Sequence, residues 1–253
     1  MTADPFSLRG RTALVTGARR GIGAAIAAGY AAAGAELILM ARDAALEDTL
    51  EAIKQNGGGE ATVMIADFAD PDAVEATAVE LARTRRIDIL VNNAGTIRRG
   101  PAGETSTADW RQVIDVNLNS TWAVTRPIGA AMAERRTGKI VTIASLLSFQ
   151  GGVRVPAYTA SKHAVAGLTR ALANEWGPAG VQVNAIAPGY ISTDNTTELR
   201  ADPARDAAIR ERIPAGRWGR AEDLVGAAVF LASAAADYVN GHVLAVDGGW
   251  LAR

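Results

Sequence analysis

Seven runs of five or six mostly apolar residues recur along the chain, separated by longer alanine-rich segments with helical spacing, and this alternation leaves few folds open. The runs are Thr12–Thr16, Glu36–Met40, Thr62–Ala66, Ile87–Val91, Lys139–Ala144, Val181–Ile186 and His242–Val246. A strand buried on both faces reads as a near-continuous apolar run, whereas a half-exposed strand alternates polar and apolar residues. Helices are expected near 21–33, 43–56, 71–85, 107–136, 158–178 and 221–235, with a shorter one near 204–212. Repeated βα units of this kind predict an α/β fold. The expectation is a single doubly wound, Rossmann-type domain over 1–253, with a seven-stranded parallel sheet and helices on both faces. No proline-rich or glycine/serine-rich linker divides the chain. The polar stretch after the sixth run breaks the rhythm, and about 190–219 reads as a lid over a substrate.

Composition narrows the chemistry. Lys and Arg number 26 against 27 Asp and Glu, a net charge of -1, so no overall positive field draws nucleic acid or an anionic membrane surface. The absence of cysteine removes disulfides, thiolate nucleophiles and sulfur-ligated zinc, and two histidines make a histidine-rich site improbable, so no metal is expected. Met1 to Arg11 carries no secretory-type apolar core, and Gly34 splits the apolar stretch 24–41 into helix and strand. The expectation is a cytoplasmic chain without a membrane partner.

The first run is followed by Thr16-Gly17-Ala18-Arg19-Arg20-Gly21-Ile22-Gly23 and then directly by an alanine-rich helix. Glycines let a backbone turn tightly and approach a pyrophosphate, and a helix N-terminus offers unpaired amides. Residues 16–23 are therefore a candidate phosphate loop, although a glycine pattern alone also describes a plain tight turn. After the second run stands Ala41-Arg42, where an NAD-binding chain would carry an acid for the ribose, and Asp43 comes one or two positions late. Arg42 with Arg19 or Arg20 suits a ribose 2′-phosphate. NADP(H) is favoured, NAD(H) remains open, and the same arginines would be ordinary solvated charges if no phosphate came.

Tyr158 and Lys162 lie one turn apart on the expected helix and share a face. An ammonium about 4 to 5 Å from a phenol favours the phenolate by roughly 3 to 4 kcal/mol at an effective dielectric of about 20. That would bring a tyrosine into working range as a proton carrier. A lone Tyr-x-x-x-Lys is more often a packed ring beside a solvated amine.

The pair is not alone. The glycine loop, Asn92-Asn93-Ala94-Gly95 after the fourth run, Asn117, Ser145, Tyr158, Lys162 and Pro188-Gly189 stand in the order and spacing of the short-chain dehydrogenase/reductase family, which the whole chain resembles. The resemblance implies hydride transfer between an alcohol or ketone and a nicotinamide cofactor. It implies Tyr158 as general acid/base, Ser145 on the reacting oxygen, Lys162 tuning the tyrosine and holding the ribose, and Asn117 supporting a proton-relay water. For the cofactor it implies Gly17, Arg19, Arg20, Gly21, Ile22, Gly23 and Arg42, then Asp67 and Phe68 near adenine. Asn93, Ala94 and Gly95 would lie along the adenosine side, and Pro188, Gly189, Ile191 and Thr193 around the nicotinamide amide. A homotetramer joined through the long helices is the family expectation.

Narrower stretches, Ser148–Pro156, Asn195–Thr197 with Leu199–Asp202, Arg212–Gly219 and Val246–Arg253, are similar to the sugar-acid branch of that family. The implied substrate is of the 2-dehydro-3-deoxy-D-gluconate or 2-deoxy-D-gluconate type, as in uronate catabolism. An aldonate needs a cation for its carboxylate and polar partners for its hydroxyls. Arg154 is the leading carboxylate partner and Gln150 a hydroxyl partner, with a surface or subunit contact as the plainer alternative for Arg154. A 3-oxoacyl-carrier-protein reductase is the second enzymatic reading, and a dinucleotide-sensing protein without turnover the third.

Overall fold

The computed structural model describes residues 4–253. Seven strands form one all-parallel sheet: β1 (Thr12–Thr16), β2 (Glu36–Ala41), β3 (Thr62–Ile65), β4 (Ile89–Asn92), β5 (Gly138–Ile143), β6 (Val181–Pro188) and β7 (Val243–Val246). Their spatial order is β3-β2-β1-β4-β5-β6-β7. Parallel neighbours cannot be joined by a tight turn, so helical segments cross over between them. These are α1 (Gly21–Ala32), α2 (Glu47–Gln55), α3 (Pro71–Thr84), α4 (Thr107–Ile114), α5 (Ser120–Glu134), α6 (Pro156–Trp176), α7 (Thr197–Ala201), α8 (Pro203–Arg212) and α9 (Val225–Ala232).

Successive strand residues point to opposite faces, so each strand feeds two cores. Val15, Leu39 and Val91 pack with Ile26 and Tyr30 of α1 and Leu231 of α9 on one side. Leu14, Met40 and Leu90 pack with Val74 of α3, Val124 and Ile128 of α5 and Leu172 of α6 on the other. This two-sided burial explains why the strands read as apolar runs in sequence. The expected α/β architecture is the observed one.

Boundaries moved where apolarity was a poor guide. The fourth strand starts two residues later than expected, because Ile87 and Asp88 lead into the sheet as an approach segment. The helix expected over 107–136 is two helices joined by a π-turn, Asp115–Asn119. The helix expected over 221–235 is regular only in α9, with tighter 3-10 turns at Ala221–Leu224 and Ala234–Ala236. Five-residue α7 has no apolar period to announce it. No helix among the described residues is long and apolar enough to cross a membrane.

Candidate active site

The strand order reverses between β1 and β4, since the chain runs outward to β3 before crossing to the other side of β1. Such a switch point opens a crevice at the carboxyl ends of the strands. Here its two lips are tied together. The Thr16 hydroxyl accepts from the amides of Asn93 and Ala94 at 3.0 and 3.1 Å, and the Asn93 carboxamide donates to the carbonyls of Thr16 and Gly17, each at 3.0 Å.

The loop leaving β1 must pass close to these groups. Gly17 has φ +64°, and a side-chain carbon on it would lie 2.8 Å from the Ala94 Cα. A side-chain carbon at Gly23 would meet the Gly17 carbonyl oxygen at 2.4 Å. Contact excludes a side chain at both glycines, and at Gly17 the positive φ does so as well. The first turn of α1 has no side-chain cap, leaving its amides free to face an anion. A cleft of about 1030 Å³ opens in front of them, lined among others by Gly17, Arg19, Arg20, Gly21 and Ile22, by Asn93–Gly95, and by Ser192–Asn195. Uncapped amides, glycines and adjoining arginines fit a pyrophosphate-bearing dinucleotide.

The three arginines singled out from sequence do not stand alone. Arg19 Nη1 lies 3.3 Å from Asp43 Oδ2, Arg42 Nε lies 3.9 Å from the same oxygen, and Arg20 Nη1 lies 2.5 Å from Asp194 Oδ2. The Thr49 hydroxyl donates to the carbonyls of Ala18 and Arg19, anchoring the glycine loop to α2. Further along the sheet edge, the Asp67 carboxylate is exposed and accepts from Ala69 N at 3.0 Å. Phe68 is buried, its carbonyl held by the Ser120 hydroxyl at 2.7 Å.

The second half of the site gathers at the ends of β5 and β6. Ser145 follows β5, and its Oγ accepts from Leu147 N at 3.1 Å. Tyr158 and Lys162 project from the first turns of α6. Burial raises the Tyr158 phenol above its ordinary range, while a hydrogen bond with Ser145 and the positive charge of Arg99 pull it back down. Lys162 is 5% exposed, donates to the Ile143 carbonyl at 2.7 Å, and is pushed down to about 8 by burial. Its Nζ lies 5.6 Å from the Tyr158 ring centroid. Asn117 occupies the π-turn, bonds the backbone of Thr96 through both ends of its carboxamide, and donates to the Ser161 hydroxyl at 3.1 Å. Interruptions of this type in a helix often mark functional positions.

Pro188 ends β6, Gly189 N donates to Val246 O at 3.0 Å, and Ile191 is buried against the sheet. Thr193 passes over the phosphate loop, since a side-chain carbon on Gly21 would lie 3.5 Å from its Cγ2. The segment beyond is braced by aromatic contacts. Tyr190 packs edge-on against Trp218 at 5.4 Å and tilted against Trp250 at 4.6 Å, while the Arg212 guanidinium lies 3.9 Å over the Trp250 ring. Trp218 Nε1 donates to Asp206 of α8 at 2.7 Å.

Arg154 is exposed, adopts φ +63°, and makes no ion pair among the described residues; its carbonyl accepts from Gly100 N at 2.9 Å. Gln150 lies on the loop between Ser145 and Tyr158, half-buried. The sequence reading missed Arg99. It donates to the Asn195 carbonyl at 2.7 Å, joining the loop after β4 to the segment after β6, and it is the cation whose charge acts on Tyr158. Its only signal in the sequence is a basic pair, Arg98-Arg99, a few residues past the fourth strand, on the edge where ligands bind.

Comparison with known proteins agrees with this geometry. The family described as "Enoyl-(Acyl carrier protein) reductase" matches residues 17–251. The chain is 56% identical over 250 residues to a 2-dehydro-3-deoxy-D-gluconate 5-dehydrogenase of Bacillus subtilis, covering 99% of this chain and 98% of that protein. A crystal structure from Beutenbergia cavernae, described as a proposed NAD(P)-dependent gluconate 5-dehydrogenase with bound NADP at low occupancy, is 58% identical. It superposes with a TM-score of 0.96, covering 99% of this chain and 100% of that one. A crystal structure from Agrobacterium tumefaciens, described as a proposed 2-deoxy-D-gluconate 3-dehydrogenase with bound NADP, is also 58% identical, with a TM-score of 0.93 over 99% and 100% of the two chains. Sheet order, crevice and this likeness over nearly the full length converge: the chain belongs to the short-chain dehydrogenase/reductase family of oxidoreductases.

Proposed function

We propose that the protein interconverts a secondary alcohol and a ketone on a sugar acid of the 2-dehydro-3-deoxy-D-gluconate or 2-deoxy-D-gluconate type, with NADP(H) preferred over NAD(H). The observation that carries this reading is the convergence of Ser145, Tyr158 and Arg99, a cation with no ion pair among the described residues, beside a cleft fitted to a dinucleotide. When bound there, the nicotinamide cofactor supplies or accepts the hydride.

The chain's own residues handle the proton and the charge. Tyr158 takes the hydroxyl proton in oxidation and returns it in reduction, with Ser145 hydrogen-bonded to the reacting oxygen. Arg99 favours the phenolate, and the guanidinium donors not spent on the Asn195 carbonyl can pair with a substrate carboxylate. Lys162 adds a buried donor one turn along α6 and holds the cofactor ribose. Asn117 fixes the π-turn that backs this face and supports a proton-relay water. Arg154 and Gln150 complete the polar surroundings of the substrate, and residues 190–219 close over it. Around the cofactor, the amides of the phosphate loop meet the pyrophosphate, Arg19, Arg20 and Arg42 the 2′-phosphate, and Asp67 and Phe68 the adenine. Asn93, Ala94 and Gly95 line the adenosine side, while Pro188, Gly189, Ile191 and Thr193 meet the carboxamide end. The reading extends to a cytoplasmic homotetramer assembled through α5 and α6.

Nicotinamide absorbance tests it. Purified protein is offered NADP+ or NAD+ with 2-dehydro-3-deoxy-gluconate, 2-deoxy-gluconate and gluconate, and NADPH or NADH with 3-oxoacyl thioesters. Turnover confined to sugar acids, and faster with NADP+, is the expected result. Turnover only with acyl thioesters would replace the substrate class and leave the fold untouched.

A further inference from the structure

The ring of Tyr190 packs against two indoles, Trp218 and Trp250, and α8 grips both of them. Asp206 accepts from Trp218 Nε1 at 2.7 Å, and the Arg212 guanidinium lies 3.9 Å over the Trp250 ring. Residues three, four and seven apart share one face of a helix, so Arg205 and Arg212 flank the buried Ile209 on the side that α8 turns inward. Ile209 and Ile213 cluster there with Leu146, which follows Ser145, and with Tyr190, which follows Gly189. The inward face of α8 therefore reaches the reacting half of the site.

Three cations gather around this phenol with no carboxylate to answer them. Arg205, Arg212 and Arg99 make no ion pair among the described residues. The nearby acids are spent elsewhere: Asp206 on Arg210 at 2.5 Å and on Trp218, and Asp202 on the amides of Ala204 and Arg205. Burial raises the Tyr190 phenol above its ordinary range, while the charges of Arg205, Arg212 and Arg99 pull it back down. Arg99 also acts on Tyr158, so one guanidinium serves both phenols. Like charges gathered at a cleft repel one another, and an anion bound among them relieves that repulsion.

We propose that Tyr190, Arg205 and Arg212 receive the carboxylate of the sugar acid together with Arg99, and so select an acid over its uncharged counterpart. The proposal rests on the sugar-acid reading above. Tyr158 and Ser145 hold the reacting oxygen, and the carboxylate lies a few carbons further along the same molecule. The Tyr190 hydroxyl donates to it, and the guanidinium groups add charge-assisted bonds. Two of the cations ride on α8, so a bound carboxylate also draws that helix over the site, which an uncharged group does not. The three arginines are exposed, so the attraction acts partly through water and is screened by salt.

The test uses the full-length protein and two substrates that differ in charge, 2-deoxy-D-gluconate and its amide, each with saturating NADP+ at low and high salt. Where the amide is not turned over, its affinity is read as inhibition of acid oxidation. Wild type should favour the acid, less so at high salt. Arg205→Gln, Arg212→Gln and Tyr190→Phe should each cut that preference about ten-fold, chiefly by raising KM for the acid. Arg205→Lys and Arg212→Lys restore the charge and should recover part of the preference, which a purely structural loss would not. A preference unchanged in the glutamine and phenylalanine variants, or equal losses on acid and amide, would overturn the proposal and leave the sugar-acid reading standing. If wild type turned over no sugar acid, that reading would fail and take the proposal with it.

Discussion

The Asn117 carboxamide grips both backbone groups of one residue: its Oδ1 accepts from Thr96 N at 2.8 Å and its Nδ2 donates to Thr96 O at 3.0 Å. This pair fastens the loop after β4 to the π-turn, and the same loop delivers Arg99 three residues later. Asn117→Ala would strand two half-buried backbone groups. We expect a loss of about 1–3 kcal/mol in stability by urea denaturation. We also expect a fall in kcat of about ten- to a hundred-fold, because the turn loses the geometry that supports proton transfer. Full activity with unchanged stability would contradict both expectations.

Lys162 gives stability a distinct pH signature. An unfolded lysine titrates near 10.5 and the buried one near 8, so between these values the unfolded chain carries a proton that the native chain has released. Stability then rises with pH across that window and is flat, on this account, below it. In Lys162→Gln the contribution vanishes. Wild type should gain about 3 kcal/mol relative to the variant between pH 8 and pH 10.5 in paired urea titrations. A pH-independent difference would place the ammonium in a more polar setting than the structure does.

Arg99 has two jobs that can be separated. Arg99→Ala removes the charge beside Tyr158, so the pH at which oxidation gains activity should move upward, and KM for the sugar acid should rise about tenfold or more. Arg99→Lys restores the charge without the planar guanidinium. We expect the pH profile to return towards wild type while KM stays raised. A normal KM in both variants would remove Arg99 from the substrate's surroundings.

An indole hydrogen bond is one of the ties that brace residues 190–219, the proposed lid. Asp206→Ala deprives Trp218 Nε1 of its partner and loosens the edge-on packing of Trp218 on Tyr190. KM for substrate should rise a few-fold, while the NADP+ dissociation constant stays within about two-fold of wild type. Equal losses in both would show that α8 also organises the cofactor cleft.

The sheet could be read from the chain because burial on both faces writes itself as uninterrupted apolar runs; Leu37 to Ala41 is the clearest case. Gly17 and Gly23 were legible for a related reason, since a crowded backbone admits no side chain. The break at Asp115–Asn119 was not legible. A π-turn keeps the helical hydrophobic spacing within one residue, and its cause, the Asn117 bonds to Thr96, lies across the fold. Arg99 escaped for the same reason: its partners Asn195 and Tyr158 are 96 and 59 residues away in sequence, and only the sheet brings them together. Asp43 was seen in the sequence as a misplaced acid, but its position between Arg19 and Arg42 depends on how the loop leaves β2.

The bonds from Asn93 to Thr16 and Gly17 join segments some 77 residues apart, so the crevice exists only once β4 has docked beside β1. Parallel pairing over such a separation is a slow, late event in folding. A partly folded chain can form the first βα unit and its glycine loop yet offer a dinucleotide only one wall. Ligand affinity then belongs to the native state alone, and by mass action a cofactor held at a hundred times its Kd adds about 2.7 kcal/mol to unfolding. Nucleotide supply would thereby regulate how long each molecule survives proteolysis, independently of how fast it turns over.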